Sequence, residues 1–392
     1  TGCDLRPGGV AEALESLGAR IVQGHDPSHV AGASAVVVTA ALPPDHPELV
    51  AARRAGIPVL KRAEALGAVV NHGRLVAVAG THGKSTTTAM MAAMLEAAGL
   101  DPTGFVGGRV PGWGGGLRPG SDELFVVEAD EYDRSFLTLR PTVAVVTTVE
   151  ADHLDIYGSV DALEDAFLEF LRPVPPGGLI ALGIDDEGAR RLAGRTAGGQ
   201  VLGYGTAPDA RLRATGIEPQ GRGSRFVAVE DGVELGEFTV GVPGEHNVRN
   251  ALGALAAVRH LGVDPAAVRA GLADFHGVGR RFEEIGQAAG IVVIDDYAHH
   301  PTEIEATLAA ARTVFAGRRL VAAFQPHLYT RTRDFAERFG RALAAADEVW
   351  VTDVYPAREE PIPGVTGELV AAAARQARHA AVHYAPTLSE LE

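Results

Sequence analysis

A single cysteine, Cys3, stands in 392 residues. No disulfide can form within the chain, as expected of a reducing compartment, and cohesion must come from an apolar core. Apolar runs stay far below the ~20 residues that cross a bilayer, and no charged-then-apolar leader opens the chain, so the sequence argues for no membrane partner and a cytoplasmic setting. Positive charge is also short: the net charge is −15. That balance argues against nucleic acid, which demands a basic face. Lysine is scarcest of all, because of 35 Lys and Arg residues only Lys61 and Lys84 are lysines.

Lys84 lies in Gly80-Thr81-His82-Gly83-Lys84-Ser85-Thr86-Thr87. In a chain that otherwise uses arginine, a lysine between glycine and hydroxyl residues points to a need for a compact ammonium rather than a planar fork. The loop follows the β-branched run Leu75–Val78 and precedes a helical stretch over Ser85–Ala98. Strand, glycine loop and helix N-terminus together bind the phosphates of a nucleotide triphosphate. The spacing departs from G-x-x-x-x-G-K-[ST], because Val78 occupies the first glycine's place.

The length exceeds one ordinary core, so two or three domains are expected. Strand and helix patterns alternate over the first seventy residues, with helices over Ala11–Leu17 and Glu48–Ala55 and a buried strand over Ala35–Thr39. That rhythm predicts an α/β, doubly wound, Rossmann-like domain over 1–71. A central P-loop ATPase-type α/β domain is expected over 72–276, with a small antiparallel sheet in the β-branched stretch 199–240 and a mobile loop in the Gly- and Pro-rich stretch 107–120. The rhythm restarts at Ile291 and runs to a final strand over Ala380–Tyr384, predicting a Rossmann-like α/β domain over 277–392. Thr1-Gly2-Cys3-Asp4 reads as a turn after a strand, and Pro386–Glu390 as a helix start. Both ends are therefore expected to be cut inside a domain.

Polar clusters end several apolar runs, where open α/β sheets build sites. Glu128, Asp130, Glu131 and Asp133 crowd the end of one, and such crowding calls for a compensating cation. His153 lies between Asp152 and Asp155 at the end of another, where it can ligate a metal or contact phosphate. Asn247 and Asn250 share a helix face, a pair suited either to a base edge or to capping. Arg280-Arg281, Asp295–Pro301 and Phe324–Thr332 follow, each compatible by itself with a turn.

In this order the motifs resemble the Mur ligases, ATP-dependent enzymes that build the peptide of the bacterial cell-wall precursor. The resemblance runs from Asp4 to about Tyr384. It implies that Gly80, Thr81, His82, Gly83, Lys84, Ser85 and Thr86 hold the phosphates of ATP. It implies Mg²⁺ on Ser85 and Glu128, with a second ion on Glu128 and His153. Asn247 and Asn250 would meet adenine, Arg281 the phosphates and Asp296 the ribose. His299 and Arg331 would hold the amino acid and the sugar's carboxylate, and Asp4 the uracil. His82, Asp295–Pro301 and Phe324–His327 resemble the alanine-adding branch, whose substrates are UDP-N-acetylmuramate and L-alanine. The absence of any lysine after Lys84 excludes the carbamylated lysine of other branches. A tripeptide-recycling ligase and a non-catalytic nucleotide-binding protein are the alternatives. Leu328 stands where many members carry arginine. The sequence leaves monomer and dimer both open.

Overall fold

The structure is a computed structural model and describes residues 1–39, 42–357, 359–377 and 381–390. Ten strands form one sheet, and seven of them make its parallel centre. From the far edge inward, the order is Val233–Val240, Gly223–Glu230, Leu212–Gln220, Gln200–Gly205, Leu179–Gly183, Val143–Val146 and Arg74–Ala79. Leu124–Glu128, Thr103–Val110 and Gly115–Arg118 complete it on the other side.

Period-two alternation explains why the central strands are apolar throughout. Val76 and Val78 face one layer, where the helices Lys84–Ala97 and Glu245–His260 pack. Leu75, Ala77 and Ala79 face the other, against Leu163, Phe167 and Phe170 of the helix Val160–Leu171. The phosphate-loop helix is buried on nearly every side, so its small and unbranched residues (Ala89, Met90, Met91, Ala92) let neighbours approach closely. Gly271 shows how closely: a Cβ there would come within 2.4 Å of the Ala93 carbonyl oxygen.

The antiparallel strands expected in 199–240 are present, and they continue the central sheet: Gln200–Gly205 pairs parallel with Leu179–Gly183, and antiparallel pairing begins after Leu212–Gln220. Two expectations fail. The stretch 107–120 is a hairpin of Thr103–Val110 with Gly115–Arg118 rather than a mobile loop, because its glycines admit backbone where side chains cannot go. Gly116, for example, would place a Cβ 2.1 Å from the Val106 carbonyl oxygen. The strand expected over Ala35–Thr39 spans Val36–Val38 and is not buried, with Val37 53% exposed, since among the described residues only Val59–Lys61 pairs with it.

Flanking the large sheet are smaller units. Residues 1–70 hold two two-stranded parallel sheets, Gly2–Asp4 with Ile21–Gln23 and Val36–Val38 with Val59–Lys61. After residue 280 a hairpin pairs Glu283–Ala288 with Ile291–Asp295. A parallel sheet of Val321–Phe324, Glu348–Val351 and Val382–Tyr384 follows, packed on the helices Pro301–Val314, Tyr329–Leu343 and Glu368–Gln376. Ala380, the first residue expected in the final strand, lies outside the described residues.

Candidate active site

The phosphate loop turns from the strand Arg74–Ala79 into the helix Lys84–Ala97 through two left-handed glycines, Gly80 (φ 133°) and Gly83 (φ 82°). Neither tolerates a side chain. A Cβ on Gly80 would meet Thr147 Oγ1 at 2.1 Å, and one on Gly83 would meet Asn250 Oδ1 at 2.4 Å. The loop is tied to the next strand end by Thr81 Oγ1, which accepts from the Glu150 N–H at 2.9 Å, and by the His82 N–H, which donates to Thr148 Oγ1 at 3.0 Å.

Lys84 Nζ, on a side chain only 14% exposed, donates to the Gly80 carbonyl at 2.6 Å and to both Glu131 oxygens at 2.8 and 2.9 Å. Burial alone would lower its pKa, but Glu131 and Asp130 overcome burial and raise it, keeping the ammonium charged. Beside it, Ser85 Oγ donates to Glu128 Oε1 at 3.0 Å, and the Gly107 N–H holds the other Glu128 oxygen. Neighbouring oxygens around an octahedral Mg²⁺ with ~2.1 Å bonds lie about 3.0 Å apart, so this pair fits the ion.

A cleft of about 310 Å³ opens between the phosphate loop, the start of the helix Glu245–His260 and the unit after residue 280. Asn247 and Asn250 line it, but their amides also serve the fold: Asn250 Nδ2 donates to Asn247 Oδ1 at 3.1 Å and Asn247 Nδ2 to the Pro243 carbonyl at 2.6 Å. Arg281 lies across the cleft, 3.3 Å from Glu303. Asp296 accepts from the Phe282 N–H at 2.8 Å, and its burial raises its pKa.

Glu303 is where this wall converges. It accepts from the His299 N–H at 2.9 Å and faces His82 Nδ1 and Arg281 at 3.3 Å each. Burial works against its charge, yet His82, His299 and Arg281 prevail and hold its pKa well below the usual carboxylate range. His299 Nδ1 lies 2.8 Å from the Tyr297 carbonyl, to which it must donate, and burial lowers its pKa. His300 is fully buried beside His82, with ring centroids 4.7 Å apart, and burial with that neighbour pushes its pKa down to about 3. His246, also buried, falls to about 4.

Both histidines are lowered in the folded state, so their contribution to stability is complete above the unfolded value near 6.5 and is lost as pH falls below it. At pH 5 each is expected to cost about 2 kcal/mol relative to pH 8. Urea melts at the two pH values measure this, and His300→Gln should remove its share of the difference.

Arg331 and Asp152 form a buried pair at 2.5 Å, joining the helix Tyr329–Leu343 to the loop before Leu154. Burial would raise Asp152, but Arg331 drives it far below the usual carboxylate range. His153 has a left-handed backbone (φ 52°) and sits against Asp152 at 3.8 Å and the Tyr132 ring at 5.3 Å. Among the described residues, the close clusters of metal-binding atoms are His82–Glu150–His300 and Cys3–His25–Glu48, and neither contains His153. Leu328 is buried with φ 70° at the start of its helix, so no charge enters there. Asp4 is exposed, with Oδ1 accepting from the Arg6 N–H at 2.7 Å.

Known proteins resemble the chain along nearly its whole length. Signatures described as the Mur ligase family catalytic domain, the Mur ligase middle domain and the Mur ligase glutamate ligase domain match residues 1–74, 78–258 and 280–391. The UDP-N-acetylmuramate–L-alanine ligase of Acidothermus cellulolyticus is 50% identical over 375 residues, covering 95% of this chain and 79% of that protein. The chain belongs to the Mur ligase family. A second curated relative, the UDP-N-acetylmuramate–L-alanine ligase of Kineococcus radiotolerans, is 52% identical over 95% of this chain and 79% of its own length. Among solved structures, the UDP-N-acetylmuramate–alanine ligase of Thermotoga maritima superposes with a TM-score of 0.82 at 30% identity, covering all of this chain and 85% of its own. A murein peptide ligase of Psychrobacter arcticus gives 0.72 at 26% identity, covering all of this chain and 86% of its own. As a Mur ligase, the chain is an ATP-dependent ligase of mixed α/β fold.

Proposed function

We infer that the chain joins L-alanine to the carboxylate of UDP-N-acetylmuramate with hydrolysis of ATP, in peptidoglycan precursor synthesis. The observation that carries this reading is half-identity to L-alanine ligases along nearly the entire chain, on a phosphate loop with Lys84 in place. The sugar's carboxylate oxygen attacks the γ-phosphorus and ADP departs. The amine of alanine then attacks the acyl carbon, phosphate leaves, and the amine nitrogen gives up a proton.

Lys84 and the loop amides hold the β- and γ-phosphates, with Lys84 moving from Glu131 toward the nucleotide. Ser85 and Glu128 would hold Mg²⁺, which would supply neutralisation of the charge that builds between carboxylate and phosphate. Asn247, Asn250, Arg281 and Asp296 line the nucleotide cleft, and His299 stands on the amino-acid side. Arg331, buried on Asp152, is a positioning residue that orients the last domain toward the loop. In domain terms, 1–71 takes the UDP-sugar, 72–276 the ATP and 277–392 the amino acid. Among the described residues no helix is long and apolar enough to cross a membrane. We place the reaction in the cytoplasm, where ATP and nucleotide sugars are at hand.

Phosphate release with ATP, Mg²⁺ and UDP-N-acetylmuramate tests the reading, with L-alanine or the tripeptide L-alanyl-γ-D-glutamyl-meso-diaminopimelate added in parallel. Release that requires both the sugar nucleotide and L-alanine is expected. Release with the tripeptide alone would reassign the chain to peptide recycling. His153→Ala is expected to raise the Mg²⁺ concentration at half-maximal rate about tenfold, by analogy with the loss of groups that support a metal. An unchanged Mg²⁺ curve removes His153 from the metal site.

A further inference from the structure

Within residues 1–70, beside the strand pair Gly2–Asp4 and Ile21–Gln23, Cys3, His25 and Glu48 form a second cluster, with His46 next to Glu48. Cys3 is the middle residue of one strand, His25 follows the next strand, and His46 and Glu48 stand at the start of the helix Pro47–Arg54. Three donor atoms form a nearly equilateral triangle. Cys3 Sγ is 3.4 Å from His25 Nδ1 and 3.2 Å from Glu48 Oε2, and His25 Nδ1 is 3.4 Å from Glu48 Oε2. A tetrahedral ion with ~2.3 Å bonds to sulfur and ~2.0–2.1 Å bonds to nitrogen or oxygen places neighbouring donors roughly 3.3–3.6 Å apart.

Two further observations point to a ligand. His46 is 8% exposed, and its Nδ1 has no hydrogen-bond partner among the described residues, although it lies 4.0 Å from the same Glu48 oxygen. A hydrogen-bond network serving only the fold has no use for a buried nitrogen without a partner. Glu48 Oε1 also lies 3.2 Å from Cys3 Sγ, and it is fixed from outside by the Asp26 N–H, from which it accepts at 3.1 Å, and by His29 Nδ1 at 2.8 Å. Such outer contacts orient a ligating carboxylate. Among the described residues, the ion-pair partners of this buried carboxylate are histidines, none of them Lys or Arg.

We propose that Cys3, His25 and Glu48 bind a zinc-class divalent ion, with His46 Nδ1 completing four-coordination. On binding, the Cys3 thiol loses its proton to solvent and the sulfur's electron pair goes to the metal. The ion fastens the Gly2–Asp4 and Ile21–Gln23 pair to the helix Pro47–Arg54, and so to the second small sheet. It serves the fold of residues 1–70 and takes no part in phosphate transfer.

The test is titration of the metal-stripped full chain with Co²⁺ and with Zn²⁺. Cys3 is the only cysteine, so a thiolate-to-cobalt charge-transfer band reports this site alone and ignores His82–Glu150–His300. One equivalent of Co²⁺ is expected to produce the band in the native sequence. His46→Ala should keep the band and bind Zn²⁺ at least tenfold more weakly. Cys3→Ser, nearly isosteric, should lose the band and the rise in melting temperature that Zn²⁺ gives the native sequence. Absence of the band at saturating Co²⁺ overturns the proposal. So does a Zn²⁺-induced rise in melting temperature that is equal in the native chain and in Cys3→Ser.

Discussion

Lys84→Arg is expected to cut ATP-dependent phosphate release by roughly a hundredfold or more, the usual scale for losing one aimed donor at developing charge. The charge survives this change, so the loss tests shape. Nζ sits at the floor of a nest, 2.6 Å from the Gly80 carbonyl and 2.8 Å from Glu131. The loop that forms this nest is closely packed. Gly80 already touches Thr147, and Gly83 touches Asn250, at distances that exclude even a methyl group. A planar guanidinium is wider than an ammonium and carries its donors in a fixed fork. It can satisfy Glu131 while failing to follow the phosphates. Circular dichroism should remain native, which separates this outcome from unfolding. Turnover like that of the native chain would sink the assignment of Lys84, and with it the phosphate loop as the ATP site.

Asp152→Asn is expected to destabilise the fold by about 3–5 kcal/mol, because it leaves the Arg331 guanidinium buried without its counter-charge. Both partners are nearly fully buried, at 7% and 6% exposure, so solvent screens them little. The double variant Asp152→Asn/Arg331→Met should be less destabilised than Asp152→Asn, since no orphaned charge remains. Urea denaturation of the three proteins gives the coupling directly. Folding depresses the pKa of Asp152, so the pair's stabilisation is present above the unfolded value near 3.9 and disappears only as pH falls below it. The acid loss expected from His246 and His300 therefore begins at higher pH than any loss from Asp152. A linear decline with its onset near pH 4 alone would contradict the buried neutral histidines.

Most of this site was legible because its signals are local. A lysine among arginines, a glycine pair and a run of hydroxyls mark the loop without reference to the rest of the chain. Likewise the wholly apolar strands declare a sheet covered on both faces. Glu131 was less legible: four acids follow Val127, and only the three-dimensional turn decides which one faces Lys84. Glu303 carried a signal that went unused, since it lies three residues after His300 in a capping-box pattern, which the structure forms. Asp152 had none, because its partner Arg331 is 179 residues away. The hairpin at 107–120 is hidden in the sequence for a related reason, as glycine marks a close approach of backbones as readily as it marks mobility.

The helix Gly9–Ser16 buries none of its residues, whereas Arg74–Ala79 and Lys84–Ala97 are almost wholly enclosed. Amide hydrogens of these elements should therefore exchange with solvent deuterium on very different timescales, the first helix through local fraying and the other two only through global opening. Lys84 and its glycine loop thus belong to the last part of the molecule to open. Denaturant sufficient to melt the first seventy residues should abolish recognition of the sugar nucleotide while ATP still binds.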